Sequence, residues 1–172
     1  ATHGEPSEVN AHPHKSKDKV YIVHNGIIEN YIELKEALVK DGYKFSSQTD
    51  SEWIAHLLDY FLEKGNSMID AMYLAKEKLE GAYAIAAIDM DNNNSLVVAR
   101  NKSPLLLGIG TDEMLAASDP LAIGQLTNEF VFLEDGDVAE ISAESYKIFD
   151  ENKKEVEREI TNIDISSQAT SK

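Results

Sequence analysis

Three clusters of polar residues have side chains that suit catalysis or substrate binding. Thr2 and His3 fall in an irregular segment, Asn25 and Gly26 follow a short apolar run, and Asp50 stands near the start of an amphipathic segment. An asparagine amide beside a glycine N–H forms a pair of donors suited to a developing oxyanion. Glycine also lets a substrate approach the backbone closely. These clusters therefore indicate a site that stabilises negative charge on a bound substrate.

The histidines suggest a metal site as a competing interpretation. His12 and His14 are two residues apart, flanked by His3 and His24, and this spacing places two rings on one face of a strand. Pro13 separates them and no carboxylate completes a ligand set, so loop histidines bonded to the backbone are favoured. We expect no metal and no other cofactor.

Nucleophilic catalysis has no complete motif in these residues. The chain contains no cysteine, which excludes disulfides, thiolate metal sites and a cysteine nucleophile within its 172 residues. There is no G-x-S-x-G motif. Gly108 and Gly110 lack a third glycine and a following helix, so a strand and turn are favoured over a phosphate loop.

Composition narrows the class of protein. The chain has 16 basic and 31 acidic residues and a formal net charge of −15, which argues against a nucleic-acid partner and an anionic membrane surface. No apolar run approaches the roughly 20 residues that a membrane helix needs. The polar N-terminal residues do not resemble a signal peptide, so we expect a cytoplasmic protein.

Apolar spacing predicts three helices in the first half of the chain, at about 30–40, 49–64 and 67–80. Thr49 and Glu52 fit a capping box at the start of the second helix. Asp50 has a second interpretation here, because it competes with Thr49 and Ser51 to be the helix N-cap.

The remaining pattern predicts loops and short strands. Residues 1–19 are expected to form a loop, and 20–23 a buried strand that ends at an Asn-Gly turn. After residue 82 the apolar runs become short, with turn residues between them, and 119–124 forms one helical turn. The prediction is an α+β fold of mostly antiparallel sheets, with a domain at 1–165 and a polar linker or tail at 166–172.

Longer motifs identify a family. THGEPSEVNAHPH followed by VYIVHNGIIEN, with SQTDSEWIAHLL, LEGAYAIAAID and FLEDGDVAEI further on, resembles the class II glutaminase domains of glutamine–fructose-6-phosphate aminotransferases. The resemblance extends to about residue 160. It implies the N-terminal-nucleophile hydrolase fold, a sandwich of two antiparallel sheets between helix layers. It also implies hydrolysis of the glutamine side-chain amide, with the ammonia passing to a sugar-isomerising domain.

The resemblance assigns roles residue by residue. Thr2 and His3 match the loop that binds the glutamine α-carboxylate, and Asn25 and Gly26 match the oxyanion hole. Asp50 matches the carboxylate that holds the glutamine α-ammonium. A further histidine, His12, matches a position near the pocket.

The sequence also departs from the family pattern. The family nucleophile is an N-terminal cysteine, and an Arg-Trp pair precedes the position of Ala1, but the chain has neither feature. We therefore expect a domain that lacks its opening strands and is inactive alone, within a longer, homo-oligomeric enzyme. The alternatives are a non-catalytic module that binds glutamine, or a related class II amidotransferase.

Overall fold

The computed structural model describes residues 13–164. Three helices occupy the first half of this range: α1 (Tyr31–Lys40), α2 (Asp50–Glu63) and α3 (Met68–Lys78). Eleven strands complete the described part: β1 (His14–Ser16), β2 (Val20–Ile28), β3 (Gly81–Asp89), β4 (Asn92–Asn101), β5 (Leu106–Ile109), β6 (Met114–Ala117), β7 (Glu129–Phe132), β8 (Val138–Ile141), β9 (Tyr146–Phe149), β10 (Glu155–Val156) and β11 (Ile160–Asn162). A 3₁₀ turn at Pro120–Ala122 precedes β7.

The strands form two antiparallel sheets. The larger has seven strands in the order β1-β2-β3-β4-β8-β9-β10, and the smaller has four in the order β11-β7-β5-β6. Strand β2 lies next to β3, with Gly26 opposite Tyr83 and Asn25 opposite Ala84. The pairs β3–β4 and β8–β9 join strands that follow each other along the chain, because short turns connect antiparallel neighbours.

Alternation along β3 shows how the layers stack. Tyr83, Ile85 and Ala87 pack into the cluster that contains the three helices. Ala84 belongs to the cluster that contains residues of the four-stranded sheet, such as Leu107. Since neighbouring strand residues point to opposite faces, the seven-stranded sheet lies between the helices and the smaller sheet. Both faces of β3 are therefore covered, which explains its almost continuous apolar run.

Helix α2 is the central element of the helix layer. Trp53, Ile54 and Leu58 are almost fully buried against the sheet, and burying each such side chain contributes about 1.5–3 kcal/mol. The same helix also buries polar residues, among them Asp50 and Asp59. These polar residues face β1 and β2, where the candidate site lies.

The sequence-based expectations for this region are confirmed for the helices and corrected for the strands. The loop expected at 1–19 contains strand β1, and the strand expected to end at residue 23 continues to Ile28. Two short strands, β10 and β11, are additional to the expected pattern. Within residues 13–164, no helix is long and apolar enough to span a membrane.

Candidate functional site

Asn25 and Gly26 lie within β2 rather than in a turn. Gly26 has a φ of 121°, a backbone conformation that residues with a side chain rarely adopt. A Cβ atom at this position would lie 2.1 Å from the carbonyl oxygen of Ala82 on the neighbouring strand. Turns also need a positive φ, which is why the Asn-Gly pair predicts a turn from sequence alone. The nearby Ala82 carbonyl on β3 leaves no room for a side chain, which explains why this residue is glycine.

The side chain of Asn25 is exposed on the sheet face opposite the helices. It lines a cavity of about 130 Å³ with residues of both sheets, including Ala84 and Ala116. Four of the lining residues are alanines, whose small side chains leave room beside the asparagine amide. Asn25, a predicted oxyanion-hole residue, therefore borders a cavity.

Asp50 is the first residue of α2 and is completely buried. Its Oδ2 accepts a hydrogen bond of 2.8 Å from the backbone N–H of Ile28, two residues beyond Gly26. The His24 Nδ1 atom lies 3.9 Å from the other carboxylate oxygen. Asp50 is therefore held against the end of β2, near the glycine predicted to serve the same site. The N-cap of α2 is Thr49 rather than Asp50.

Glu52 fixes the loop that leads into Asp50. Its carboxylate accepts hydrogen bonds of 2.7–3.1 Å from the backbone N–H and hydroxyl groups of Ser46 and Ser47. Burial alone would raise the pKa of Glu52, but the nearby His56 ring and these serine donors outweigh it and lower the pKa to about 2. The capping box expected between Thr49 and Glu52 is not formed, because the Thr49 side chain makes no cap bond.

Buried histidines connect α2 to the first two strands. His24 Nδ1 lies 2.9 Å from Ser51 Oγ, and His14 Nε2 lies 3.1 Å from Thr49 Oγ1. Each pair links a strand residue to the first turn of α2 or to its N-cap. These bonds satisfy polar groups that solvent does not reach, which makes them part of the support for Asp50.

A third buried histidine, His56, joins the contact between α2 and β1. Ser16 Oγ donates to Asp59 Oδ2 at 2.9 Å, and His56 Nδ1 lies 2.7 Å from the same hydroxyl. Because the single serine proton goes to Asp59, the His56 Nδ1 atom must carry the proton that Ser16 accepts. Burial raises the pKa of Asp59, and the bond from Ser16 opposes that effect.

Sequence reasoning missed this supporting network, although it identified the residues the network surrounds. Serine, glutamate and histidine on a helix are usually solvated, so their residue types alone do not indicate a buried face. The signal that could have found them is helical spacing, since Ser51 stands three and four residues before the buried Ile54 and Ala55 and so lies on the same face of the helix.

Thr2, His3 and His12 lie outside the described residues. Their predicted roles therefore stay predictions, as does the linker at 166–172. Within residues 13–164, no group of three or more histidine, aspartate or glutamate side chains is arranged to hold a metal ion.

Comparison with known proteins places this geometry in a family. The profile of the glutamine amidotransferase domain matches residues 6–125. A glutamine–fructose-6-phosphate aminotransferase (isomerizing) of Vibrio parahaemolyticus is 50% identical over 161 residues, covering 94% of this chain and 26% of that protein. The Shewanella oneidensis enzyme of the same name is 47% identical over 172 residues, covering 100% of this chain and 28% of the relative.

Solved structures agree with the fold. The glutamine phosphoribosylpyrophosphate amidotransferase of B. subtilis, complexed with ADP and GMP, has a TM-score of 0.68 at 25% identity, covering 83% of this chain and 32% of that one. A structure described as the allosteric regulatory enzyme of purine biosynthesis has a TM-score of 0.69 at 25% identity, covering 83% of this chain and 31% of that one.

The two-sheet architecture is thus that of the N-terminal-nucleophile hydrolases, as the sequence resemblance predicts. The chain belongs to the glutamine amidotransferase domain family. It spans about a quarter of the length of the curated relatives it matches.

Proposed function

We propose that this chain is the glutamine-hydrolysing part of an enzyme that transfers the amide nitrogen of glutamine to fructose 6-phosphate. The family match and the names of relatives 45–50% identical support the reaction and the acceptor. The observation that carries the proposal is Asn25 beside Gly26 on β2, bordering a cavity between the two sheets. Ammonia released there serves a sugar-isomerising domain of the full-length protein.

Asn25 and Gly26 act as the oxyanion hole in this proposal. Attack on the glutamine side-chain carbonyl places negative charge on its oxygen, which the Asn25 amide and the Gly26 N–H stabilise. Fixed donors of this kind are worth roughly 10²–10³ in kcat each. The constrained backbone at Gly26 keeps the two groups in a constant relation, since neither strand can shift without losing its pairing.

Asp50 binds the α-ammonium of glutamine in this proposal. Asp50 accepts a hydrogen bond from the backbone N–H of Ile28, and a carboxylate, with about four lone-pair positions, can accept several hydrogen bonds at once. Burial shields the pair from water and strengthens the charge-assisted bond. The bonds of Glu52 to the preceding loop hold Asp50 in place.

The remaining roles follow the resemblance. Thr2 and His3 bind the glutamine α-carboxylate, and His12 matches a family position near the pocket. Because the chain has no cysteine, hydrolysis through a thiolate needs a residue outside these 172, and the chain alone is inactive. The full-length protein is a cytoplasmic homo-oligomer.

The test is glutaminase kinetics on the full-length protein. Asn25→Ala should lower kcat about 10²-fold or more with a smaller change in KM, whereas Asp50→Asn should mainly raise KM. Asn92→Ala is the matched control, since Asn92 is also an exposed strand asparagine but lies at the far end of β4. A kcat for Asn25→Ala equal to that of the control would overturn the oxyanion role.

Two alternatives have their own support. The likeness to a phosphoribosylpyrophosphate amidotransferase favours a different acceptor, and comparing fructose 6-phosphate with phosphoribosylpyrophosphate as acceptors decides between them. The lack of cysteine favours a non-catalytic module that binds glutamine. Calorimetry on the 172-residue chain tests this, and the absence of binding at millimolar glutamine removes it.

A further inference from the structure

A second cavity lies away from Asn25, between α3, the end of β4 and the β9–β10 hairpin. Its volume is about 450 Å³, which falls within the range of small-molecule sites. Its lining includes hydroxyl, amide, carboxylate and ammonium groups: Tyr73, Lys76, Glu77, Tyr83, Asn101, Glu151, Asn152 and Lys153. None of these residues takes part in the proposed glutamine chemistry.

Lys76 is the unusual side chain in this cavity. Its Nζ atom donates a 2.5 Å hydrogen bond to the carbonyl oxygen of Gly136 and lies 5.0 Å from the centre of the Tyr73 ring. Within residues 13–164, no carboxylate lies within 4.0 Å of it. Partial burial removes part of the hydration of the Lys76 ammonium, and the Gly136 carbonyl and the Tyr73 ring, rather than a carboxylate, are its partners.

The other lysines of the described chain are either paired with a carboxylate or exposed to solvent. Four of them form ion pairs with carboxylates: Lys15 with Asp18, Lys17 with Glu63, Lys19 with Asp59 and Asp91, and Lys153 with Asp70. Lys78, two residues beyond Lys76 on α3, is exposed to solvent. Lys76 thus lines a cavity, is partly buried and forms no ion pair with a described carboxylate.

The charged and titratable groups around Lys76 come from every element packed against it. Burial lowers the pKa of Lys76, while the negative charges of Asp137 and Glu151 oppose that effect. Further groups facing the cavity are Glu77, Lys153, Tyr73 and Tyr83, and burial raises the pKa of both tyrosines to about 12, so they are neutral at pH 7. The position in the last turn of α3 favours the charged amine, and burial still dominates.

We propose that Lys76 is a nucleophilic amine that condenses with small hydroxyaldehydes entering this cavity. The neutral Nζ attacks the aldehyde carbon, the carbonyl oxygen takes up a proton, and the resulting carbinolamine loses water to form an imine. One C=N bond replaces one C=O bond, so no oxidant or reductant is needed. The side-chain amides of Asn101 and Asn152 offer donors and acceptors to the hydroxyl groups of the aldehyde.

The test is selective reductive alkylation of the full-length protein with glyceraldehyde and sodium cyanoborohydride, at low conversion. Peptide mass spectrometry gives the initial rates at Lys76 and at Lys78, its matched internal control. The lowered pKa of Lys76 increases the neutral fraction of its amine at pH 7.5. We expect Lys76 to react at least about threefold faster there, with the ratio falling toward one at pH 11.

Two results would overturn the proposal. One is a rate at Lys76 equal to or below that at Lys78 at pH 7.5, and the other is a ratio that persists unchanged at pH 11. Neither measurement needs a variant, so a failure to fold cannot obscure the result.

Glu151→Gln provides a further readout that a purely structural lysine would not give. Removing this carboxylate should lower the pKa of Lys76 further and speed its alkylation about 1.5-fold at pH 7.5. Glu80→Gln, at an exposed carboxylate just after α3, should leave the rate unchanged. A slower reaction in Glu151→Gln contradicts the proposed chemistry.

Discussion

The close backbone approach at the candidate site gives a prediction that can be worked out from the structure. Gly26→Ala places a methyl group 2.1 Å from the carbonyl oxygen of Ala82, and side-chain Cβ atoms essentially never come closer than 3.0 Å to such an atom. The two strands must therefore separate by about 1 Å or rotate locally. Gly65→Ala is the matched control, because Gly65 also has a positive φ, of 94°, but a Cβ atom there would have no neighbouring atom within 4 Å.

The expected cost has two parts. Placing alanine at a positive φ costs about 1–2 kcal/mol, and this part is common to both variants. Separating β2 from β3 near Gly26 breaks about two ladder hydrogen bonds in a buried region, which costs about 1–3 kcal/mol each when a partner is left unsatisfied. We expect Gly65→Ala to lower the free energy of unfolding by about 1 kcal/mol and Gly26→Ala by about 4 kcal/mol.

Urea unfolding followed by tryptophan fluorescence measures this difference. Trp53 is the single tryptophan of the chain and is buried beside the sheet, so its emission reports on the core that includes β2. If the free energy of unfolding falls with urea concentration at the same rate in both variants, the difference between them is a difference in stability. If the two variants differ by less than about 1 kcal/mol, β2 and β3 can separate freely and the constrained geometry of the proposed oxyanion hole is refuted.

Two further predictions concern buried carboxylates. Since the pKa of Glu52 is lowered to about 2 in the fold, its charge contributes about 3 kcal/mol above pH 4.5 and loses that contribution as the pH falls toward 2. Glu52→Gln should therefore destabilise the protein in urea at pH 7 and approach the wild type near pH 2; a constant deficit at both pH values contradicts this assignment. Arg158 forms two hydrogen bonds of 2.9 and 3.0 Å with the buried Asp137, so Arg158→Lys should cost about 2 kcal/mol. Glu134→Gln removes only an exposed partner of Arg158 and should cost less than about 0.5 kcal/mol. Equal losses of stability in the two variants would show that the buried pair contributes no more than the exposed one.

The helices could be predicted from sequence because their signals are local. An apolar stripe and a glycine or polar boundary are contained within one helix, and α1, α2 and α3 start within one residue of the expected positions. At α3 the residue expected to begin the helix, Ser67, is its N-cap, and its side chain accepts a hydrogen bond from the N–H of Asp70.

The strands were harder because their partners are distant in sequence. His24, Asn25 and Gly26 suggest a turn when they are considered alone, and only the pairing with β3 keeps them extended. Strands β10 and β11 are short and largely polar, so they carry no apolar pattern. Tertiary pairing overrides local turn preference in the first case and creates the strand in the second.

Part of the site could be predicted because its residues, like the helices, have local sequence signals. Asn25, Gly26 and Asp50 are identifiable by residue type and by motif, whereas their support is not. Glu52 bonds to a loop five and six residues earlier, and His24 bonds to a helix 27 residues later. Such contacts depend on burial, which composition and spacing do not reveal for polar side chains.

The backbone conformation of β2 and β3 near the site explains why hydrogen bonds are needed to hold Asp50 and the end of β2 in place. Gly81 has a φ of 125°, and a Cβ there would lie 2.2 Å from the carbonyl oxygen of Ile27, just as one at Gly26 would clash with Ala82. Two glycines on paired strands thus allow residues 26–28 and 81–83 to pair where a side chain on either glycine would clash with the facing backbone. Ile28, in this stretch, donates its N–H to the buried carboxylate of Asp50. The same bond therefore stabilises the constrained end of β2 and fixes Asp50 relative to Gly26, so a change at either residue is expected to disturb the other.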